Sequence, residues 1–165
     1  GMHALLPSAE VEVYKKKYKT SHKQFDKYFI FIEQAINKIN ENGLVCYIVP
    51  NKFFKIGAGE KLRNLIAKER MLVSLDDFGD AQLFEDKTIY SSIILLSKAK
   101  QTSFVYSSVD SANKLWAGEE VSSIELSSSV LNKLPWRLTT DFAFLTMLQR
   151  LDEVSVPHYK TRRDI

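Results

Sequence analysis

The sequence has a single cysteine, so it cannot close an internal disulfide. That residue, Cys46, lies in the apolar run Leu44-Val45-Cys46-Tyr47-Ile48-Val49 and reads as a small buried hydrophobe in a reducing cytosol. The three histidines, His3, His22 and His158, are scattered, with no cysteine or carboxylate at ligand spacing, and no metal site is expected. There is no GxSxG elbow, and a nucleophile at Cys46 would sit mid-strand, so hydrolytic catalysis has no support. Gly57-Ala58-Gly59 lacks both the Lys-Ser/Thr of a phosphate loop and the third glycine of a dinucleotide fingerprint, and reads as a helix entry. No stretch approaches the roughly 18 consecutive apolar residues of a membrane helix, and no signal peptide opens the chain, so a soluble, cytoplasmic protein without membrane contact is expected. Gly1 before Met2 reads as a tag remnant and is set aside.

The 165 residues are 45% hydrophobic, enough for one globular unit with a core. Lys+Arg 23 against Asp+Glu 20 permits an anionic partner without demanding one. Residues 14–27 mix Lys15, Lys16, Lys17, Lys19, Lys23 and Lys27 with Tyr14, Tyr18 and Phe25, show no apolar period, and read as a loop. Phe25, Tyr28, Phe29, Ile32, Ala35, Ile36 and Ile39 then recur at three and four residues, the period of an amphipathic helix. Asn42-Gly43 ends it, with the glycine suited to the left-handed position. The apolar run at 44–49 predicts a strand buried on both faces.

A second helix is expected over 59–69 with Leu62, Leu65 and Ile66 inward. Strands follow at 71–75 and 89–96, with a short edge at 104–106. The serine-rich stretch 107–129 reads as a connector carrying short elements. Phe142, Leu145, Leu148 and Leu151 mark a final helix, for which Thr139-Thr140-Asp141 offers capping oxygens. The tail His158-Tyr159-Lys160-Thr161-Arg162-Arg163 is basic and polar.

Two groups of polar residues have chemical potential. The lysines before the first periodic helix suit phosphates and the tyrosines beside them suit stacked bases, although a solvated loop has the same composition. Asp76 and Asp77 are neighbours on a strand, so their carboxylates point to opposite faces and would not converge on a metal; a capping or loop role suits them better.

The order of segments adds more. Phe25-Asp26-Lys27-Tyr28-Phe29-Ile30-Phe31-Ile32-Glu33-Gln34-Ala35 precedes Asn42-Gly43-Leu44-Val45-Cys46-Tyr47-Ile48-Val49-Pro50-Asn51-Lys52-Phe53. Lys61-Leu62-Arg63, Asp77-Phe78-Gly79, Leu83-Phe84-Glu85-Asp86 and Ser92-Ile93-Ile94-Leu95-Leu96 follow. This succession resembles the adenine-N6 DNA methyltransferases of type II and fused restriction-modification enzymes, most strongly over 25–98. The family's glycine-containing cofactor loop and its Asn-Pro-Pro-Tyr motif do not occur here.

The resemblance therefore implies the second half of a catalytic domain. The fold would be α/β: a partial Rossmann-like class I methyltransferase sheet with an antiparallel last strand, plus a C-terminal helical segment. The organisation implied is a basic N-terminal loop over 1–24, the α/β half-domain over 25–106, and a linker and helix over 107–165 leading towards a DNA-recognition domain. The strands beginning at Leu44 and Met71 would be parallel, with the strand at Ile89 inserted antiparallel between them.

In the complete enzyme a methyl group would pass from S-adenosylmethionine to adenine, with Phe84 stacking the flipped base; ordinary core packing is the other reading of Phe84. Asn51, Lys52 and Phe53 would face the cleft, and Lys15, Lys16, Lys17 and Lys19 would contact phosphates. No catalytic residue, metal or cofactor is expected in this chain by itself. DNA is the implied partner, together with a separately encoded N-terminal half or a second copy pairing through the unpaired edge of the Leu44 strand. A module with no catalytic ancestry, binding nucleic acid or protein, is the alternative; it allows Phe84 to be buried, whereas the resemblance wants it exposed beside Asn51.

Overall fold

The computed structural model describes residues 7–81 and 90–154. Helix α1 (Ser8–Lys17) and helix α2 (Lys27–Lys38) precede strand β1 (Leu44–Pro50). Two 3-10 turns, Asn51–Phe54 and Gly57–Gly59, lead into helix α3 (Glu60–Lys68). Strands β2 (Leu72–Asp77), β3 (Ser91–Ser97) and β4 (Ser103–Ser108) follow, then helix α4 (Ala112–Trp116), strand β5 (Ser122–Ser127) and helix α5 (Phe142–Val154).

The five strands form one sheet in the order β1-β3-β2-β4-β5. Both β1 and β2 run antiparallel to β3, which makes them parallel to each other with a reversed strand between, as the resemblance implies. Strand β4 is parallel to β2 and β5 antiparallel to β4. The 104–106 segment is therefore not an edge. The 107–129 stretch supplies α4 and the true edge strand, because Ile124 and Leu126 alternate with polar residues and pack their inward face on the core.

One face of the sheet carries the main core. Phe29, Ile32 and Ile36 of α2 and Leu62 and Ile66 of α3 meet Val45, Val49, Leu72, Leu75, Ile94, Leu96, Phe104 and Tyr106. Each large side chain here is removed almost wholly from water, worth roughly 1.5–3 kcal/mol apiece. The 131–136 segment folds back onto the same core: Trp136 donates its backbone N–H to Phe54 O at 2.8 Å, and Leu131 and Trp136 are buried. On the opposite face α4 covers only a small cluster around Phe78 and Val109.

That asymmetry corrects the reading of β1. It is buried on one face alone, with Leu44, Cys46 and Ile48 exposed, because among the described residues no helix covers that side and β1 ends the sheet. Cys46 is accordingly an exposed thiol rather than a core residue.

The chain before α2 is a loop only in part: residues 18–26 are irregular and turn, whereas 14–17 close a helix. Residues 8–17 form α1, whose lack of apolar period reflects how little of it is buried, and Tyr18, Thr20 and Ser21 are buried behind it. Thr20 is held from α2 by the buried Glu33, which accepts from its N–H and its hydroxyl. Gly43 does not take a left-handed backbone. Its N–H donates to Asn40 O at 3.0 Å, and a Cβ there would lie 2.7 Å from Ile39 Cβ, so close approach selects the glycine. Asp141 caps α5 as expected, accepting from the N–H groups of Ala143 and Phe144.

Candidate functional site

The C-terminal ends of β1, β2 and β4, the three mutually parallel strands, lie at one edge of the sheet. Open α/β sheets bind ligands there, because strand ends and the loops after them free side chains from the ladder. Three residues from three strands meet at this edge. Asn51, directly after β1 and 5% exposed, donates Nδ2–H to Asp77 Oδ1 at 2.8 Å. Asp77, the last residue of β2, also accepts the Gly79 N–H on Oδ1 at 3.0 Å, a local turn bond of the kind aspartate favours. Tyr106 of β4 donates its hydroxyl to Asp77 Oδ2 at 3.4 Å. Burial first, and then the charge of Asp77 and the bond to it, push the Tyr106 phenol up to about 12.

The three residues read from the PNKF segment as cleft-facing separate here. Asn51 joins the cluster. Lys52 is half-exposed and pairs with Asp26, at the start of α2, at 3.0 Å. Phe53 turns the other way: it is fully buried, with ring centroids 4.9 Å from Phe54, 5.8 Å from Trp136 and 6.4 Å from Tyr28. The cause is the 3-10 turn at Asn51–Phe54, which abandons the strand's alternation and rotates the ring into an aromatic cluster. Phe84 lies outside the described residues, as do the acidic loop after it and residue 89.

Lys15, Lys16 and Lys17 occupy the last turn of α1, and Lys19 follows it; all four are exposed. The Lys17 ammonium lies 5.4 Å from the centroid of the Tyr18 ring. Lys27 is drawn to Glu10 at 3.2 Å, which leaves the positive charge concentrated at the C-terminal end of α1. At Glu10, the hydrogen bonds from Tyr14 and Lys27 hold the carboxyl below its usual range.

Sequence reasoning passed over Asp77 as a ligand of Asn51, since 26 residues separate them and only the sheet order brings them together. It also passed over Arg63. This side chain is 1% exposed and meets no carboxylate among the described residues; Nη1 donates to Phe53 O at 2.6 Å and Ile56 O at 2.8 Å, and Nε to Leu134 O at 2.9 Å and Lys133 O at 3.0 Å. Gly59 leaves the space for it, since a Cβ there would fall 2.0 Å from Phe53 O. Arg63 thus binds the turn beneath the site to the 131–136 segment, a structural role that the Leu-Arg dipeptide alone did not announce.

Known proteins bear on this arrangement. The family model of the Eco57I restriction-modification methylases matches residues 3–84. Over 119 residues the chain is 40% identical to the type II restriction enzyme and methyltransferase RM.Eco57I of Escherichia coli, covering 72% of this chain and 12% of that protein. It is 25% identical to the type II methyltransferase M.XhoI of Xanthomonas vasicola, covering 90% of this chain and 30% of that protein. In fold it is similar to a chain of the DrdV–DNA complex, with TM-score 0.55 at 13% identity, covering 73% of this chain and 15% of that one. The chain thus spans less than a third of the length of these relatives. It belongs to the Eco57I restriction-modification methylase family.

Proposed function

We propose that this chain forms one wall of the active site of a restriction-modification DNA methyltransferase that methylates adenine at N6. The observation that carries the reading is the reversed strand β3 between the parallel strands β1 and β2, with Asn51 and Asp77 meeting at their C-terminal ends. Phe84, on the segment between β2 and β3, is the proposed stacking face for an adenine turned out of the duplex, where an aromatic ring offsets the loss of neighbouring bases. Lys15, Lys16, Lys17 and Lys19 are the proposed phosphate contacts, with Lys52 a further cation near the cleft.

In the complete enzyme S-adenosylmethionine would supply the methyl group. We assign no pocket for it to the described residues of this chain. Asp77, at this edge, already accepts from Asn51 and Gly79 on one oxygen and from Tyr106 on the other, so it is committed to bonds within the sheet edge. The cofactor is assigned to the part of the enzyme beyond this chain, and no step is derived through it. The open edge of β1 is the proposed seam: it takes a strand from the first half of the enzyme, or from a second copy when the chain is alone. No helix among the described residues is long and apolar enough to cross a membrane, and the cytoplasm, where DNA is reached, is the proposed location.

Calorimetry with S-adenosylmethionine and the chain alone, near 0.1 mM to register weak affinities, tests this division of labour. Absence of heat is the expected result. Saturable binding would overturn the reading of the chain as a wall without a cofactor pocket.

A further inference from the structure

The turn after β1 divides its four residues between two duties. Asn51 and Lys52 are the polar half: Asn51 gives Nδ2–H to Asp77 Oδ1 at 2.8 Å across the strand ends, and Lys52 follows it half-exposed. Phe53 and Phe54 are the apolar half, and both are buried. The turn is closed on Lys52 O, which accepts from the N–H groups of Lys55 at 2.9 Å and Ile56 at 3.0 Å. In so short a closed unit a displacement of one half is carried to the other.

What holds the apolar half lies far along the chain. Trp136 donates its backbone N–H to Phe54 O at 2.8 Å. Its ring stacks on Phe54, with centroids 6.5 Å apart and planes at 13°, and meets Phe53 edge-on at 5.8 Å and 75°. The indole Nε1–H turns back to Asn132 O at 2.8 Å, so the ring is fixed from its own segment as well. Arg63 makes the second tie, with Nη1 on Phe53 O and Nε on Leu134 O. Apolar burial sets only how deep the two phenylalanines sit, because it has no direction. Hydrogen bonds to both of their carbonyls set direction too.

We infer that Trp136 is a positioning residue: through Phe53 and Phe54, the 131–136 segment sets where Asn51 and Lys52 are presented at the sheet edge. The inference rests on the reading of this edge as one wall of the methyltransferase site. It carries the site past residue 107, into a stretch whose composition reads as a connector.

Nuclear magnetic resonance on the full chain separates a positioning role from a merely structural one. The Asn51 side-chain amide gives its own pair of proton signals, identified by their loss in Asn51→Asp. Their positions in the folded chain report the bond to Asp77, and a change of stability alone leaves them where they are. In Trp136→Ala both signals should move towards those of an unbonded asparagine. The Lys55 and Ile56 amides should exchange about tenfold faster, while the β2–β4 ladder keeps its signals. Trp136→Phe keeps the backbone bond and a ring but loses the Nε1–H, and should move the Asn51 pair the same way by less. Gly59→Ala approaches from the other side: residue 59 is already helical in backbone, and the added Cβ would fall 2.0 Å from Phe53 O. It should move the Asn51 pair with Trp136 intact, so the two milder variants decide the matter if Trp136→Ala does not fold. Asn51 signals fixed in every folded variant, or moved only together with those of all strands, would overturn the inference.

A duplex oligonucleotide with one unpaired adenine tests the underlying reading separately. In the native chain it should shift the signals of Asn51 and Lys52. No shift would remove the wall, and the positioning role with it, even where the Trp136 variants move Asn51. A shift by DNA with Asn51 indifferent to Trp136 would keep the wall and remove the inference alone.

Discussion

Glu33 on α2 accepts from both the backbone N–H and the hydroxyl of Thr20 at 2.8 Å, with 5% of the glutamate exposed. Its other oxygen accepts the Lys19 N–H at 3.1 Å. A buried carboxylate with three donors is an anchor, and what it anchors is the segment that joins the basic end of α1 to the body. Glu33→Ala leaves those donors buried without an acceptor, at a cost on the order of 2–4 kcal/mol. The expected outcome is faster limited cleavage by trypsin at Lys15, Lys16, Lys17 and Lys19, with the β1–β3 ladder still protected. Unaltered cleavage would mean that α1 is held by other contacts.

Arg63 makes a second prediction. Burial depresses its guanidinium pKa, and the neighbouring charge of Glu60 only partly opposes that. The compensation comes from four carbonyls spread over two segments, which a planar fork spans and an ammonium does not. Arg63→Ala should cost about 3 kcal/mol or more in urea unfolding, and Arg63→Lys should recover less than half of it. Because Lys133 and Leu134 lie just before the buried Trp136, the variants should also shift tryptophan emission to the red. A stable variant with unshifted emission would show that Trp136 docks without Arg63.

These two buried charges mark where the sequence stops being legible. The period at Phe25, Tyr28, Phe29, Ile32 and Ile36 announces α2 because an amphipathic helix must repeat its burial every turn. The reversed placement of β3 came with the family resemblance, since strand order is not written in local pattern. Strand β5 was within reach, as Ile124 and Leu126 alternate, but the surrounding serines masked a half-buried edge as a connector. Phe53 misled for a different reason: a strand's alternation was extended past Pro50 into a 3-10 turn that follows another period. Glu33 and Arg63 were invisible because charged residues are by default solvent-facing, and only tertiary partners reverse that default. At the site, Asn51 was singled out, whereas its bond to Asp77 needed the sheet.

Tyr106 makes the edge cluster sensitive to alkali. Its phenol titrates at about 12 in the folded chain, against about 10 when unfolded. A raised folded value means the neutral phenol is favoured by folding; that stability is fully present below pH 10 and is lost as the pH rises towards 12. The loss should reach roughly 1–2 kcal/mol by the upper end of this window. Burial also pushes the Tyr28 phenol far upward, with the charge of Asp26 acting in the same sense, so both tyrosines steepen the decline. Tyr106→Phe should therefore flatten part of the fall in melting temperature between pH 10 and 12. An identical pH profile in Tyr106→Phe would show that the phenol ionises freely in the folded chain.

The edge of β1 leads to the last prediction. Its seven residues bond only to β3 among the described strands, and Leu44 and Ile48 are 62% and 52% exposed on the uncovered face. If two copies pair antiparallel about a two-fold axis normal to the sheet, Leu44, Cys46 and Ile48 of both fall on one side and extend a single apolar surface. Light scattering at tens of micromolar should then report a dimer for the native chain. Ile48→Lys places a charge from each copy at the shared seam, so repulsion and desolvation act together, and the variant should be monomeric with its melting temperature little altered, because residue 48 is outside the core. A monomeric native chain would remove self-pairing and leave the first half of the enzyme as the partner for this edge; a dimer insensitive to Ile48→Lys would place the contact elsewhere, with the exposed Phe142, Phe144 and Met147 of α5 as the next surface to alter.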